Sequence, residues 1–145
     1  MSLKIVSKKF HDLSLMELYQ IMKIRSEVFL IEQNIKETDF DDTDFRAIHH
    51  YIEVNGSIIA YARSYMEKEY GKMGRLLVVA SMRHKGYASK IISHIMDYFE
   101  ILGVSKIVIS AQYQVRALYQ ILGFKEIGET YMEADILHIK MIYEK

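Results

Sequence analysis

Leu76-Leu77-Val78-Val79, a short loop, and then Arg83-His84-Lys85-Gly86-Tyr87-Ala88 form the stretch on which the reading of this chain turns. The four apolar residues, preceded by Gly74 and Arg75, suit a strand over 74–79 that is buried on both faces and central to a sheet. After Gly86, the residues Ala88, Ile91, Ile92, Ile95, Met96, Phe99 and Leu102 recur as one wide helical stripe, with Gly103 where a helix end favours glycine. A strand that passes through a glycine into a helix makes room for an anion. The glycine lets the backbone come close, and the helix start offers unpaired N–H groups at its positive end. Arg83 and Lys85 add charged donors, and Ala88 keeps the helix start small. A diphosphate fits such a turn, but one glycine between basic residues is also what an ordinary solvated turn looks like.

The flanks supply the remaining elements. Leu3, Ile5 and Phe10 suit an edge strand, and Ser14 with Glu17 forms a capping box for a helix expected to reach about Ile31. Strands over 51–54 and 58–65 are joined by Asn55 and Gly56, a pair able to take the positive φ angles of a tight hairpin, and a second hairpin leads into the central strand. Beyond the long helix come a buried strand over 104–110, a short helix over 114–122 stopped by Gly123, and strands over 124–131 and 136–143. The order β α β β β α β α β β defines an α/β chain. No repeat or linker marks a boundary, so residues 1–145 are expected to be a single domain.

Nineteen Lys and Arg balance nineteen Asp and Glu, which removes the overall field that would draw the chain to nucleic acid or an anionic membrane. Cysteine is absent, which excludes disulfides, thiolate catalysis and cysteine-based metal sites. Apolar runs fall well short of the ~20 residues of a spanning helix, and the expected location is the cytoplasm. The acidic stretch over 37–44, with Asp39, Asp41, Asp42 and Asp44, reads as a solvated loop; it lacks the central glycine and terminal glutamate of a calcium loop. Arg25, Arg63 and Arg75 stand on otherwise apolar elements and are expected to pair with carboxylates, one of them being available for an acidic group on a substrate. Six histidines, including His49 and His50, show no ligand spacing, and no metal is assigned.

Arg83-x-x-Gly86-x-Ala88 after an apolar strand resembles the coenzyme A diphosphate loop of the GNAT acetyltransferases, usually Gln/Arg-x-x-Gly-x-Gly/Ala. Some thirty residues later, 117–124 (Ala-Leu-Tyr-Gln-Ile-Leu-Gly-Phe) resembles the second signature of that family, a tyrosine on a short helix before a Gly-Phe pair. The likeness covers the full length. Ile24-Arg25, Val28-Phe29, Glu32-Gln33, the 60–63 strand (Ala-Tyr-Ala-Arg), Gly74-Arg75, Ala111-Gln112, and Tyr131 to His138 followed by Met141 resemble the ElaA-like branch. Ala80 replaces a frequent proline, and Gln112 a frequent asparagine.

The resemblance implies a mixed, mostly antiparallel sheet of six to seven strands, flanked by helices, with a splayed V-shaped cleft. It implies acetyl-coenzyme A as co-substrate and direct acetyl transfer to a primary amine of a small molecule or peptide, with homodimers common in the family. Leu77, Val78 and Val79 would meet the pantetheine arm, Arg83, His84, Lys85, Gly86, Tyr87 and Ala88 the diphosphate, and Gln112 would also hold the cofactor. Tyr119 would protonate the departing thiolate, since a phenol's reference pKa lies about a unit and a half above a thiol's. Glu32, His49, Glu133 and His138 are the candidate bases, with the two carboxylates placed ahead because they also attract a cationic amine. Gln33, His49, Arg63 and His138 are expected along the acceptor side. Two other readings stay open: a non-catalytic acyl-coenzyme A sensor, and a nucleotide-binding domain, which would lack both a Walker loop and a Gly-x-Gly-x-x-Gly turn here.

Overall fold

The computed structural model of this chain describes residues 2–145. Strand β1 (Leu3–Lys9) leads to helix α1 (Leu15–Arg25), started by the reciprocal box in which Ser14 Oγ accepts from the Glu17 N–H at 3.0 Å and Glu17 Oε1 from the Ser14 N–H at 2.7 Å. Helix α1 does not run on regularly to Ile31 as expected. Over Ser26–Glu32 it widens into π-helical turns, closed where the Gln33 N–H donates to the Val28 carbonyl at 2.9 Å. A one-turn helix α2 (Thr43–Arg46), absent from the sequence reading, ends the acidic stretch. Strands β2 (Ile48–Val54), β3 (Ser57–Glu67) and β4 (Tyr70–Val78) form consecutive hairpins. Helix α3 (Tyr87–Ile101), β5 (Lys106–Gln112), α4 (Arg116–Ile121), β6 (Lys125–Glu133) and β7 (Ile136–Glu144) complete the chain.

The seven strands make one sheet in the order β1-β2-β3-β4-β5-β7-β6, with β1 at one edge and β4 in the middle. Every pairing is antiparallel except β4 with β5. This is the GNAT fold, a mixed sheet with helices on both faces. One apolar cluster joins α3, through Ile91, Ile92, Ile95 and Phe99, to Ile52, Ala60, Ile107 and Met141 of the sheet. On the other face Ile21, Ile24, Val28 and Phe29 pack on Tyr51, Ile58, Tyr61 and Leu77. Alternation along the strands sends successive side chains to these two faces. Gly71 seats α3: a Cβ there would lie 2.7 Å from the Phe99 ring.

Strand β4 departs from the expected stretch in two ways. It begins at Tyr70 and ends at Val78, leaving Val79 just outside, and its far half is only partly covered, with Leu76 and Val78 half-buried. The cause is a bulge. Between the pairs Arg63↔Gly74 and Tyr61↔Leu77, β4 places Arg75 and Leu76 opposite Ala62 alone, and Arg75 takes φ +55°. A bulge bends the strand that carries it, and this one lies just past Lys72, the last residue that β4 pairs with β5.

The acidic stretch is a correction as well. It is not a solvated loop: Asp44 is 8 % exposed, and Asp39, Asp41 and Asp44 bind the three arginines that the apolar elements carry. Arg25 and Arg63 are buried at 2 % and 4 % exposure, and a buried guanidinium without a carboxylate is far too costly to persist, so the loop folds onto them.

Candidate active site

Strands β4 and β5 pair only at Gly71↔Ile107 and Lys72↔Val108, then separate. The wedge between them opens a cavity of about 920 Å³ that runs from the acidic loop to the turn at Gly86. Val79, expected to meet the pantetheine arm, turns its N–H away from the gap and donates it to the Ile59 carbonyl at 2.9 Å. By the alternation of antiparallel strands, Leu77 also turns its N–H toward β3, which leaves the Val78 N–H facing the gap. The Val78 carbonyl on that side accepts from Arg83 Nε at 2.8 Å.

Gly86 precedes α3 with φ +84° and with nothing within 4 Å of where a Cβ would stand, so the backbone is open to an approaching group. No side chain caps α3 there, and its first N–H groups point out at the positive end of a 15-residue helix. His84 and Lys85 lie exposed beside it. Arg83 is not a free donor: Nη1 and Nη2 bind the Glu32 carboxylate, the latter at 2.9 Å. That pairing holds the Glu32 carboxyl below its ordinary range and removes Glu32 as a ready proton acceptor. Next to it, Gln33 accepts from Gln112 Nε2 at 3.0 Å. Thus the two residues at the end of the π-helical turns each reach one wall of the wedge.

Tyr119 on α4 lines the cavity, 7 % exposed, with its ring edge-on to Phe124 at 5.5 Å. Among the described residues its hydroxyl has no hydrogen-bond partner. Burial pushes its pKa up from 10.0, so it is a more firmly protonated phenol than the reference value used for the sequence suggests.

The acceptor side is built by β5, β6 and β7. Glu133 and His138 face each other, Oε2 to Nε2 at 3.4 Å, and Ser110 Oγ donates to Glu133 Oε1 at 3.3 Å and also bonds the Tyr131 hydroxyl. His138 Nδ1 lies 2.7 Å from the Ile136 carbonyl, which only accepts; Nδ1 therefore carries the hydrogen, and Nε2 of the neutral ring is a lone pair. His49 is not part of this side. It is 1 % exposed, its Nε2 donates to the Asp44 carbonyl at 2.8 Å, and its Nδ1 accepts from the Tyr61 hydroxyl at 2.6 Å. Burial lowers its pKa and keeps it neutral. Arg63 touches the cavity wall but is committed to Asp41 at 2.7 Å and Asp44 at 2.9 Å, which leaves it no fork for a substrate.

The structure therefore brings Glu32, Gln33, Gln112, Tyr119, Glu133 and His138 to one cleft beside the Gly86 turn, and sets His49 apart. Lys72, Ser110 and Tyr131 were not singled out as site residues. Lys72 and Ser110 alternate with core residues on β4 and β5, and the point where these strands part tells which face they serve, while Tyr131 stands on the exposed strand β6 and reaches the cluster through Ser110.

A sheet opened beside an uncapped helix start, with a tyrosine across the gap, is the architecture of the acyl-coenzyme A N-acyltransferases. Residues 27–145 match the family model described as "Acetyltransferase (GNAT) domain". Protein ElaA of Escherichia coli is 30 % identical over 139 residues, covering 92 % of this chain and 91 % of ElaA, and its crystal structure superposes with TM-score 0.91 over 97 % of this chain and 99 % of that one. A UPF0039 protein of Schizosaccharomyces pombe is 31 % identical across 99 % of this chain and 98 % of its own length. An acyl-CoA N-acyltransferase from Pseudomonas aeruginosa has TM-score 0.91 at 29 % identity, over 98 % of this chain and 99 % of its own. The chain belongs to the GNAT acetyltransferase family, in its ElaA-like branch, and is an acyltransferase by fold and family.

Proposed function

We propose that this chain moves an acetyl group from acetyl-coenzyme A directly to a primary amine. The observation that carries the reading is the parting of β4 from β5 after Lys72↔Val108, which leaves a cleft leading to the Gly86 turn. The N–H groups at the start of α3, with Lys85 and His84, suit the diphosphate of coenzyme A, and the Val78 N–H is free to bond the thioester arm or to stabilise negative charge on its carbonyl oxygen. Arg83 serves this site indirectly, by fixing the Val78 carbonyl and Glu32.

The amine must lose a proton as it attacks. His138 Nε2, with Glu133 beside it, is the group in the cleft with a lone pair in a fixed direction, so we assign the base to this pair and withdraw Glu32. Tyr119 gives its proton to the departing thiolate. Its raised pKa keeps the phenol protonated across the neutral range. The P. aeruginosa relative's description as an acyl-CoA N-acyltransferase supports the same chemistry.

The test is an acetyl-coenzyme A-dependent thiol-release screen over amine classes, run beside Tyr119→Phe. Turnover should fall about 10²-fold or more in the variant with acetyl-coenzyme A affinity retained. Unchanged turnover removes Tyr119 from the mechanism. Tight acetyl-coenzyme A binding with no thiol release from any amine favours a sensor instead.

A further inference from the structure

Four lysine and arginine side chains line the cleft: Arg63, Lys72, Arg75 and Arg83. Three are neutralised, Arg63 by Asp41 and Asp44, Arg75 by Asp39 at 2.7 Å, and Arg83 by Glu32. Lys72 alone among them has no carboxylate within ion-pair distance among the described residues. Its position is fixed by the sheet. It pairs with Tyr65 on β3 and Val108 on β5, at the apex of the wedge, where β4 still has a neighbour on each side. The Cβ direction of Gly71 runs into Phe99 of α3, so the next residue, Lys72, turns to the opposite face, that of the cavity.

Ser110 faces the same way, because Ile109 and Ala111 belong to the cluster under α3. It lies two residues beyond Val108. Regular spacing would set it about 6.6 Å along the strand and about 4.8 Å across from Lys72, roughly 8 Å between α-carbons, and the parting of the strands makes the separation larger. The half-buried side chain of Lys72 and the Ser110, Glu133 and His138 cluster thus form two poles of opposite chemistry on one wall. One pole accepts a proton or holds an ammonium; the other is a cation that no carboxylate pairs with among the described residues. A diamine would meet repulsion from Lys72, and a plain alkylamine would leave it unanswered in a partly desolvated site.

We propose that the acceptor is an amino acid or another amine carrying a carboxylate, with Lys72 binding the carboxylate while the amine lies against Glu133 and His138. This rests on the amine-acetylation reading above. Lys72 is then a specificity residue, which binds the acceptor and leaves the proton transfers to others.

Matched acceptor pairs test it: glycine against methylamine, γ-aminobutyrate against propylamine, and 6-aminohexanoate against pentylamine, each by thiol release at fixed acetyl-coenzyme A. At least one acid should exceed its amine partner by about tenfold or more in kcat/KM. Lys72→Met should raise the KM of that acid about 10- to 100-fold with kcat within about twofold and the partner amine unaffected, which is the range of a charge-assisted hydrogen bond. Lys72→Arg should restore most of the loss. Acetyl-coenzyme A binding by calorimetry and the unfolding midpoint, unchanged in both variants, establish that the cofactor side and the fold are intact. Equal use of acids and amines, or an equal loss on both in Lys72→Met, overturns the assignment and leaves amine acetylation standing. Thiol release from no acceptor of any class, with acetyl-coenzyme A still bound, overturns amine acetylation itself and this assignment with it.

Discussion

Asp44→Asn separates a structural acidic loop from a solvated one. Asp44 Oδ1 accepts from Arg25 Nη1 at 2.8 Å and from Arg63 Nη1 at 2.9 Å, and its Oδ2 accepts from the Asp41 N–H at 3.2 Å. Burial alone would raise its pKa, but the two arginines outweigh it and hold the carboxylate below its ordinary range. The amide keeps the shape and removes the charge shared by two guanidinium groups with side chains 2 % and 5 % exposed. Removing one partner from a buried ion pair costs about 3–5 kcal/mol; Asp39 and Asp41 remain, so the loss should sit at the lower end, about 3 kcal/mol. For a chain of this size each kcal/mol moves Tm by about 2–4 °C, which gives a fall of about 6–12 °C. The assay is urea unfolding at pH 7 with a parallel thermal melt, beside Asp42→Asn. Asp42 is exposed and makes no ion pair among the described residues, so that change should stay within about 0.5 kcal/mol. Raising the salt should not close the gap, since buried pairs are weakly screened. Equal stabilities for the two variants would return the loop to solvent and refute the network as a support of the cleft.

Acid should weaken the fold through His50, which is fully buried between Ser7 Oγ at 2.8 Å and Ser64 Oγ at 2.7 Å and pushed from 6.5 down to about 3 by burial and by His94 and His49 nearby. The folded state stays unprotonated there while the unfolded chain takes a proton below about 6.5. Stability should therefore fall at up to about 1.4 kcal/mol per pH unit from this residue, losing about 2–3 kcal/mol between pH 6.5 and 4.5. Urea midpoints measured against pH, with His50→Gln as the flatter comparison, check this. Gly71→Ala should destabilise by about 1–3 kcal/mol, because its methyl group would drive into the Phe99 ring, while Gly74→Ala, with open space around it, should change stability by less than about 1 kcal/mol; equal effects would remove the close-packing argument.

Much of the fold was legible because its signals are local. The α1 box, the Asn55-Gly56 turn and the apolar stripe of α3 each sit within a few residues, and each element stands where its pattern put it. The Gly86 turn was legible for the same reason. What escaped depends on contacts distant in sequence. The acidic loop looked solvated because its arginines lie 14 to 36 residues away along the chain, and only folding brings Asp39 to Arg25 and Arg75. Arg63 and His49 looked like acceptor-side groups because a polar residue on a strand does not announce which face it serves, nor that its partners are already inside. Lys72 went unnoticed for the converse reason: its role follows from where two strands part, and no residue type encodes that.

An opened sheet also needs something to hold its walls at the right distance, since β4 beyond Lys72 gives up its ladder to β5. Glu32 and Gln33 supply that link, one binding Arg83 on the wall of β4 and α3, the other binding Gln112 at the end of β5. Two consecutive residues can point to opposite walls only if the helix end lies over the mouth in one orientation. Each residue of an α-helix advances by roughly 100°, so the wider pitch of the π-helical turns rotates everything that follows them relative to a regular helix. Had α1 continued unbroken to Ile31, Arg25 could still meet Asp44, but Glu32 and Gln33 would emerge on another side. The irregular turns are thus the feature that ties the arginine-bound acidic loop, which anchors α1, to the gap in which the chemistry is placed.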